Sequence, residues 1–274
     1  MSQNTIPSHL NWLIDTGERI KTSEGKEVLV FELQHQNDDS ILSAWAKHFR
    51  NHYCSDTEID VLRRGTPHTR SEYLNAIKFP DQSLAPGPSI RSGDFGEILV
   101  ADYLEFSLGY WVPRTRYGDK TIRNESTKGC DTLGFKFIDG SKESAGDSLA
   151  VFESKSQFTG SSPNPRLQQA VDDSVKDQIR KAESLNAIKQ RLHDSNKPED
   201  VAKIERFQDP IDHPYKEISG AVALFSTPLF SKETIESTIT SKHPNNIELV
   251  LITIKGVNMM DLVHELYRRA ADEA

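Results

Sequence analysis

Three residues in the middle of the chain could do chemistry together: Asp131, and the pair Glu153 and Lys155 two positions apart. Two carboxylates brought side by side chelate a hard divalent cation such as Mg²⁺, with Mn²⁺ as a substitute. Mg²⁺ takes oxygen ligands and keeps several waters. It lowers the pKa of a bound water and neutralises charge developing on a phosphate. A lysine beside the pair can position or help deprotonate the attacking water, or stabilise the pentavalent transition state.

The surrounding pattern supplies the elements that would position them. Residues 130–138 and 149–155 read as strands, and 139–147 (Asp-Gly-Ser-Lys-Glu-Ser-Ala-Gly-Asp) has turn composition. An antiparallel hairpin closing there sets Asp131 opposite Glu153, with Cβ atoms about 5 Å apart. Side chains repeat every two residues, so Leu149, Val151, Glu153 and Lys155 share one face. Asp131, Leu133, Phe135 and Phe137 share the matching face of the other strand. On both strands the apolar face turns charged at the same edge, whereas a surface strand would carry its charges on the solvent side. Gly129 lets backbone or substrate approach closely.

Glu97, in Gly93-Asp94-Phe95-Gly96-Glu97, falls in a predicted helix over 92–107. Ala101 and Leu104 lie on about the same face, so Glu97 is expected to point toward the sheet as a further ligand, direct or through water. Lys128, Arg116, Gln168 and Gln169 are candidates to support the site or contact a phosphate. A solvated helix face is the competing reading for the two glutamines. Taken singly each signal is weak, because Glu-x-Lys is common on strands; the ordered set carries the argument.

The rest of the chain fits around this set. Runs at 10–14 and 28–31 read as a strand pair. Asp38 and Asp39 can cap a helix with the stripe Ile41, Leu42, Trp45 and Phe49. Ser55 to Glu58 forms a capping-box pattern, and a further helix covers 71–78. Pro80, Pro86, Gly87 and Pro88 mark a linker, with a soft boundary near residue 90. Residues 1–90 are then an N-terminal strand-pair and helical extension, given to partner docking or DNA gating on position. After residue 90 come the helix 92–107, strands 110–117, 130–138 and 149–155, and a long helix from Asn164-Pro165 to about 193. A helix 199–207, strand 218–226, helix 231–240, strand 247–254 and helix 258–272 follow. This order calls for an α/β (α+β) fold, a mixed central sheet flanked by helices over 91–274.

Composition narrows the function classes. With 274 residues, 36% hydrophobic and 27% charged, the chain reads as an ordinary globular protein. A net charge of −8 and a pI near 5.6 argue against a basic nucleic-acid coat. The local cluster Arg114, Arg116, Lys120, Arg123 and Lys128 reads, on charge alone, as a solvated loop face. No apolar run approaches a membrane span, and residues 1–10 carry no signal-type apolar region, so a cytoplasmic protein is expected. The two cysteines, Cys54 and Cys130, are far apart and suggest neither zinc nor a disulfide. The nine histidines are read as structural or exposed, without metal spacing. Trp12, Trp45 and Trp111 are assigned to packing. No GxGxxG, P-loop or GxSxG motif occurs.

The order Glu97, Asp131, Glu153-Ser154-Lys155 resembles the PD-(D/E)xK nuclease superfamily, with a restriction-endonuclease-like core. Segments 93–97, 128–135 and 152–155, with 45–53 and 166–169, are similar to the HamA family, nuclease subunits of the Hachiman anti-phage defence system. The resemblance implies a Mg²⁺-dependent DNase. It also implies a superfamily 2 helicase partner of the HamB type that restrains the nuclease until it meets abnormal or phage DNA. Cys130 stands where the strict motif has proline. Two alternatives remain: a catalytically silent regulatory subunit with a nuclease-like fold, or an RNase using the same site. Carboxylates converging on an open side favour the enzyme; carboxylates neutralised by bidentate arginines favour the subunit.

Overall fold

The computed structural model describes residues 6–140 and 142–274. Residues 1–5 and 141 lie outside it, and with them part of the polar N-terminal run and part of the turn expected over 139–147. Six strands form one sheet: β1 (Leu13–Lys21), β2 (Glu27–Leu33), β3 (Thr132–Lys136), β4 (Ser148–Gln157), β5 (Lys216–Ser226) and β6 (Leu249–Gly256), in the order β1-β2-β6-β5-β4-β3. The inner pairs β2–β6, β6–β5 and β5–β4 are parallel, and the outer pairs β1–β2 and β3–β4 are antiparallel. This is the expected mixed α/β sheet. Its inner strands are apolar on both faces, as a sheet covered by helices on both sides requires.

Among the described residues eight α-helices flank it: α1 (Asp39–Asn51), α2 (Ile59–Leu62), α3 (Arg70–Tyr73), α4 (Gly87–Asp102), α5 (Arg166–Asp194), α6 (Pro198–Glu205), α7 (Lys232–Glu236) and α8 (Met259–Asp272). Residues of α1, α3, α4 and α8 bury against Phe31, Ala150, Phe152, Val222 and Ile252 on one face. On the other, α5 packs over both Ala221 and Leu251 and, with α6, over Leu133, Phe135, Leu149 and Val151. Local sequence dictates several starts. Asp38 caps α1 by accepting the Ile41 N–H at 3.1 Å, and Leu42, Trp45 and Phe49 are buried as the stripe predicts. Thr69 and Glu72 form a reciprocal capping box at α3, which runs on as a wider turn over Leu74–Lys78. Pro88 sits in the first turn of α4, so the expected linker is itself a helix start.

Three expectations change. Residues 8–12 form a 3₁₀ turn, and β1 begins at Leu13 and takes in the polar stretch expected as a connector. An edge strand with one face in water tolerates such polarity, and at Gly17, with φ +73°, the pairing register shifts. The strand expected over 110–117 is absent. Only Trp111 bridges Phe135; Pro113 offers no N–H, and Arg114 has φ 36°. The boundary expected near residue 90 falls inside α4. Because β2 pairs with β6 and α1 shares a core with α8, the N-terminal region belongs to the same sheet and the same buried cluster. Among the described residues, no helix is long and apolar enough to cross a membrane.

Gly220 on β5 lies beside Phe152, the residue before Glu153. A Cβ built there would fall 2.3 Å from the Phe152 ring. Gly220→Ala is therefore expected to cost about 1–3 kcal/mol through overpacking, although alanine is otherwise no worse than glycine in a strand. Urea denaturation checks the sign.

Candidate active site

The hairpin register is the one the pattern predicts. Thr132 pairs with Phe152 and Leu133 with Val151, which sets Asp131, just ahead of β3, opposite Glu153. Leu133, Phe135, Leu149 and Val151 pack beneath Leu185 and Ile188 of α5. Glu153 and Lys155 continue that face toward the carboxyl end of β4. Lys155 Nζ pairs with Glu153 and reaches Asp173 on α5 at 2.8 Å. Asp131 Oδ2 accepts the Ser154 N–H at 3.1 Å, tying the two strands at the site itself.

Glu97 arrives from the opposite helical layer, on α4. Its carboxylate takes the Tyr117 hydroxyl and lies 2.8 Å from Arg116 Nε. The same guanidinium reaches Asp131 Oδ1 at 2.9 Å and the backbone carbonyls of Cys130 and Thr127. One arginine thus bridges two of the expected metal ligands, and a supporting residue of the sequence pattern becomes a central one. Of the basic cluster, Lys128 is exposed, but Arg114, Arg116 and Lys120 are not a solvated face. Arg114 pairs with Asp102 at 2.6 Å, Arg116 with Glu97, and Lys120, only 5% exposed, with Asp94 at 2.7 Å. Three acids of α4 are matched in reverse order by three bases of one loop; charge counting alone could not see that α4 buries its acids.

Burial dominates the electrostatics. It pushes the Glu153 carboxyl up to about 9, aided by the Asp131 charge and only partly opposed by Lys155. Glu97 is pushed to about 8 by burial, against the pull of Arg116. Asp177 on α5, missed by the sequence reading, is raised to about 6 by burial and by Asp131. Burial lowers Lys155, but Glu153 and Asp173 outweigh it, so the ammonium is held more firmly than usual.

Glu97, Asp131, Glu153 and Lys155 line one cleft of about 750 Å³, with Lys128, Arg166 and Arg180 also on its walls. It opens near the carboxyl ends of the parallel strands, where α/β sheets place their ligands. Gln168 is elsewhere, bonded to Asp172 and to the backbone of Ile239. Gln169 accepts from Arg166 at 2.8 Å and so supports a cleft residue rather than lining the cleft.

The donor chemistry fits a hard cation: opposed Asp131 and Glu153, with the unpartnered oxygens of Asp177 within electrostatic reach of both. These acids do not bring three ligand atoms within 4.8 Å of one another. The protein would then give few direct ligands and leave water the rest, a partition that suits Mg²⁺.

Among the described residues the tighter group is His48, His52 and Asp102. The histidines stand four apart, His48 in the last turn of α1 and His52 at its C-cap, a spacing the sequence shows. The charge is already met there: Asp102 takes His9 at 3.0 Å, His48 at 2.8 Å and Arg114.

Fold and site together define a layered α/β protein with an acid-and-lysine cleft at the carboxyl ends of its parallel strands. The chain belongs to the HamA family, whose family model matches residues 8–270. That membership points to a component of Hachiman defence. A search among curated proteins finds no match.

A carboxyl held protonated in the fold adds stability that is complete below its ordinary value of 4.5 and is lost as pH rises through its folded value of about 9. In EDTA the melting temperature is expected to fall across that window. Glu153→Gln should shrink the fall, leaving the part due to Glu97 and Asp177. A pH series of thermal melts checks this.

Proposed function

We propose that this protein is a PD-(D/E)xK-type nuclease that hydrolyses DNA phosphodiester bonds with Mg²⁺, as the effector of a defence complex restrained by a helicase subunit. The observation that carries this reading is the β3–β4 register, which sets Asp131 opposite Glu153 with Lys155 on the same face of an open cleft. Asp131 and Glu153 would hold the cation. Bound there, it would supply an activated water and offset charge on the phosphate. Lys155, paired with Asp173, would orient the attacking water and stabilise charge on the scissile phosphate. Lys128, Arg166 and Arg180 give the cleft wall cations for neighbouring phosphates, although the chain as a whole is acidic. The helicase would hold the remaining length of DNA. Its docking is assigned to the N-terminal region.

One observation favours a second reading, a silent regulatory subunit. Arg116 already neutralises Glu97 and one oxygen of Asp131. In the nuclease reading this arginine would hold the two acids together, and Glu97 would act through it rather than as a ligand.

Linear and supercoiled double-stranded DNA, incubated with Mg²⁺, Mn²⁺ or EDTA, with and without the helicase and ATP, separates the readings. Metal-dependent cutting is expected, falling about 10²-fold or more in Glu153→Ala and in Lys155→Ala, the scale of losing one transition-state stabiliser. Intact DNA in every condition would favour the regulatory subunit, and cutting of an RNA substrate run alongside, with DNA left intact, would assign the site to an RNase.

A further inference from the structure

Asp177 is 1% exposed, and neither of its carboxylate oxygens has a hydrogen-bond partner. Among the described residues no other carboxylate is left this way on both oxygens. An isolated buried carboxylate is costly unless something pairs with it. The Cys130 thiol beside it is a weak donor and is turned to the Asp177 backbone carbonyl at 4.0 Å.

The position of Asp177 says what it faces. On α5 it lies one turn after Asp173, which holds Lys155, and two turns before Ser184, which accepts the Cys130 N–H at 3.0 Å. This stretch of the helix therefore runs along the start of β3 and the charged end of β4. The Asp131 charge acts on Asp177, and that of Asp177 acts on Glu153.

We propose that Asp177 is a positioning carboxylate of the cation site, accepting hydrogen bonds from waters that a cation held by Asp131 and Glu153 retains. The inference rests on the nuclease reading of that site. Outer partners of this kind orient the ligand shell, and losing one weakens metal affinity about 10–100-fold.

The test uses the full chain and Mn²⁺ alone, with free Mn²⁺ followed by electron paramagnetic resonance and stability by thermal melting. Wild type is expected to bind Mn²⁺ and Glu153→Gln to lose it. Asp177→Asn should bind about 10–100-fold more weakly, yet melt above wild type in EDTA because the buried charge is gone. Asp177→Ser, smaller and neutral, should weaken binding likewise and serves if the asparagine does not fold. Wild-type Mn²⁺ affinity in a folded Asp177 variant would overturn the proposal and leave the nuclease reading standing. No Mn²⁺ binding by wild type would overturn both.

Discussion

The pairing of β3 with β4 is the constraint on which the site depends. Side chains alternate across a sheet, so a slip of one residue would turn Asp131, or Glu153 with Lys155, to the opposite face. The register is fixed by the apolar set beneath it: Leu133, Phe135, Leu149 and Val151 must meet α5 and α6. The energy that holds the register is therefore hydrophobic, while its product is electrostatic. Asp131 adds its own lock by taking the Ser154 N–H.

Gathering acids in a protein interior is unfavourable, and the structure answers the problem differently at each one. Glu97 is met by Arg116 and Tyr117, and Asp131 by Arg116 and a backbone N–H. Glu153 is met by Lys155 and is shifted toward its neutral form. Asp102, further along α4, is surrounded by His9, His48 and Arg114 and stays ionised, held well below the usual carboxylate range because these partners outweigh burial. The acids near the cleft, Glu153 and Asp177 above all, are the less fully compensated ones.

The legible parts of the fold were those set by local pattern. The hairpin could be read because alternation and turn composition agree, and α1 because an aspartate precedes an apolar stripe. Residues 110–117 misled because Tyr110, Trp111 and Val112 favour a strand, while Pro113 and the φ of Arg114 end it after one bridge. The candidate cleft was legible through Glu97, Asp131, Glu153 and Lys155, all of which line it. Arg116 was visible only as a basic residue in a loop. Its bridging role, like the burial of Asp177 and the meeting of His48 and His52 with Asp102, depends on which layers the fold brings together.

The loop that carries Arg114, Arg116 and Lys120 matches Asp102, Glu97 and Asp94 along α4. Such a ladder is read by spacing. Exchanging lysine for arginine on one rung disturbs that rung alone, whereas adding or deleting one residue between 114 and 120 moves every following base off its acid. Across variants of this protein, the length of the loop should thus be held more tightly than the identity of its bases, and an indel there would leave several buried charges unmatched at once.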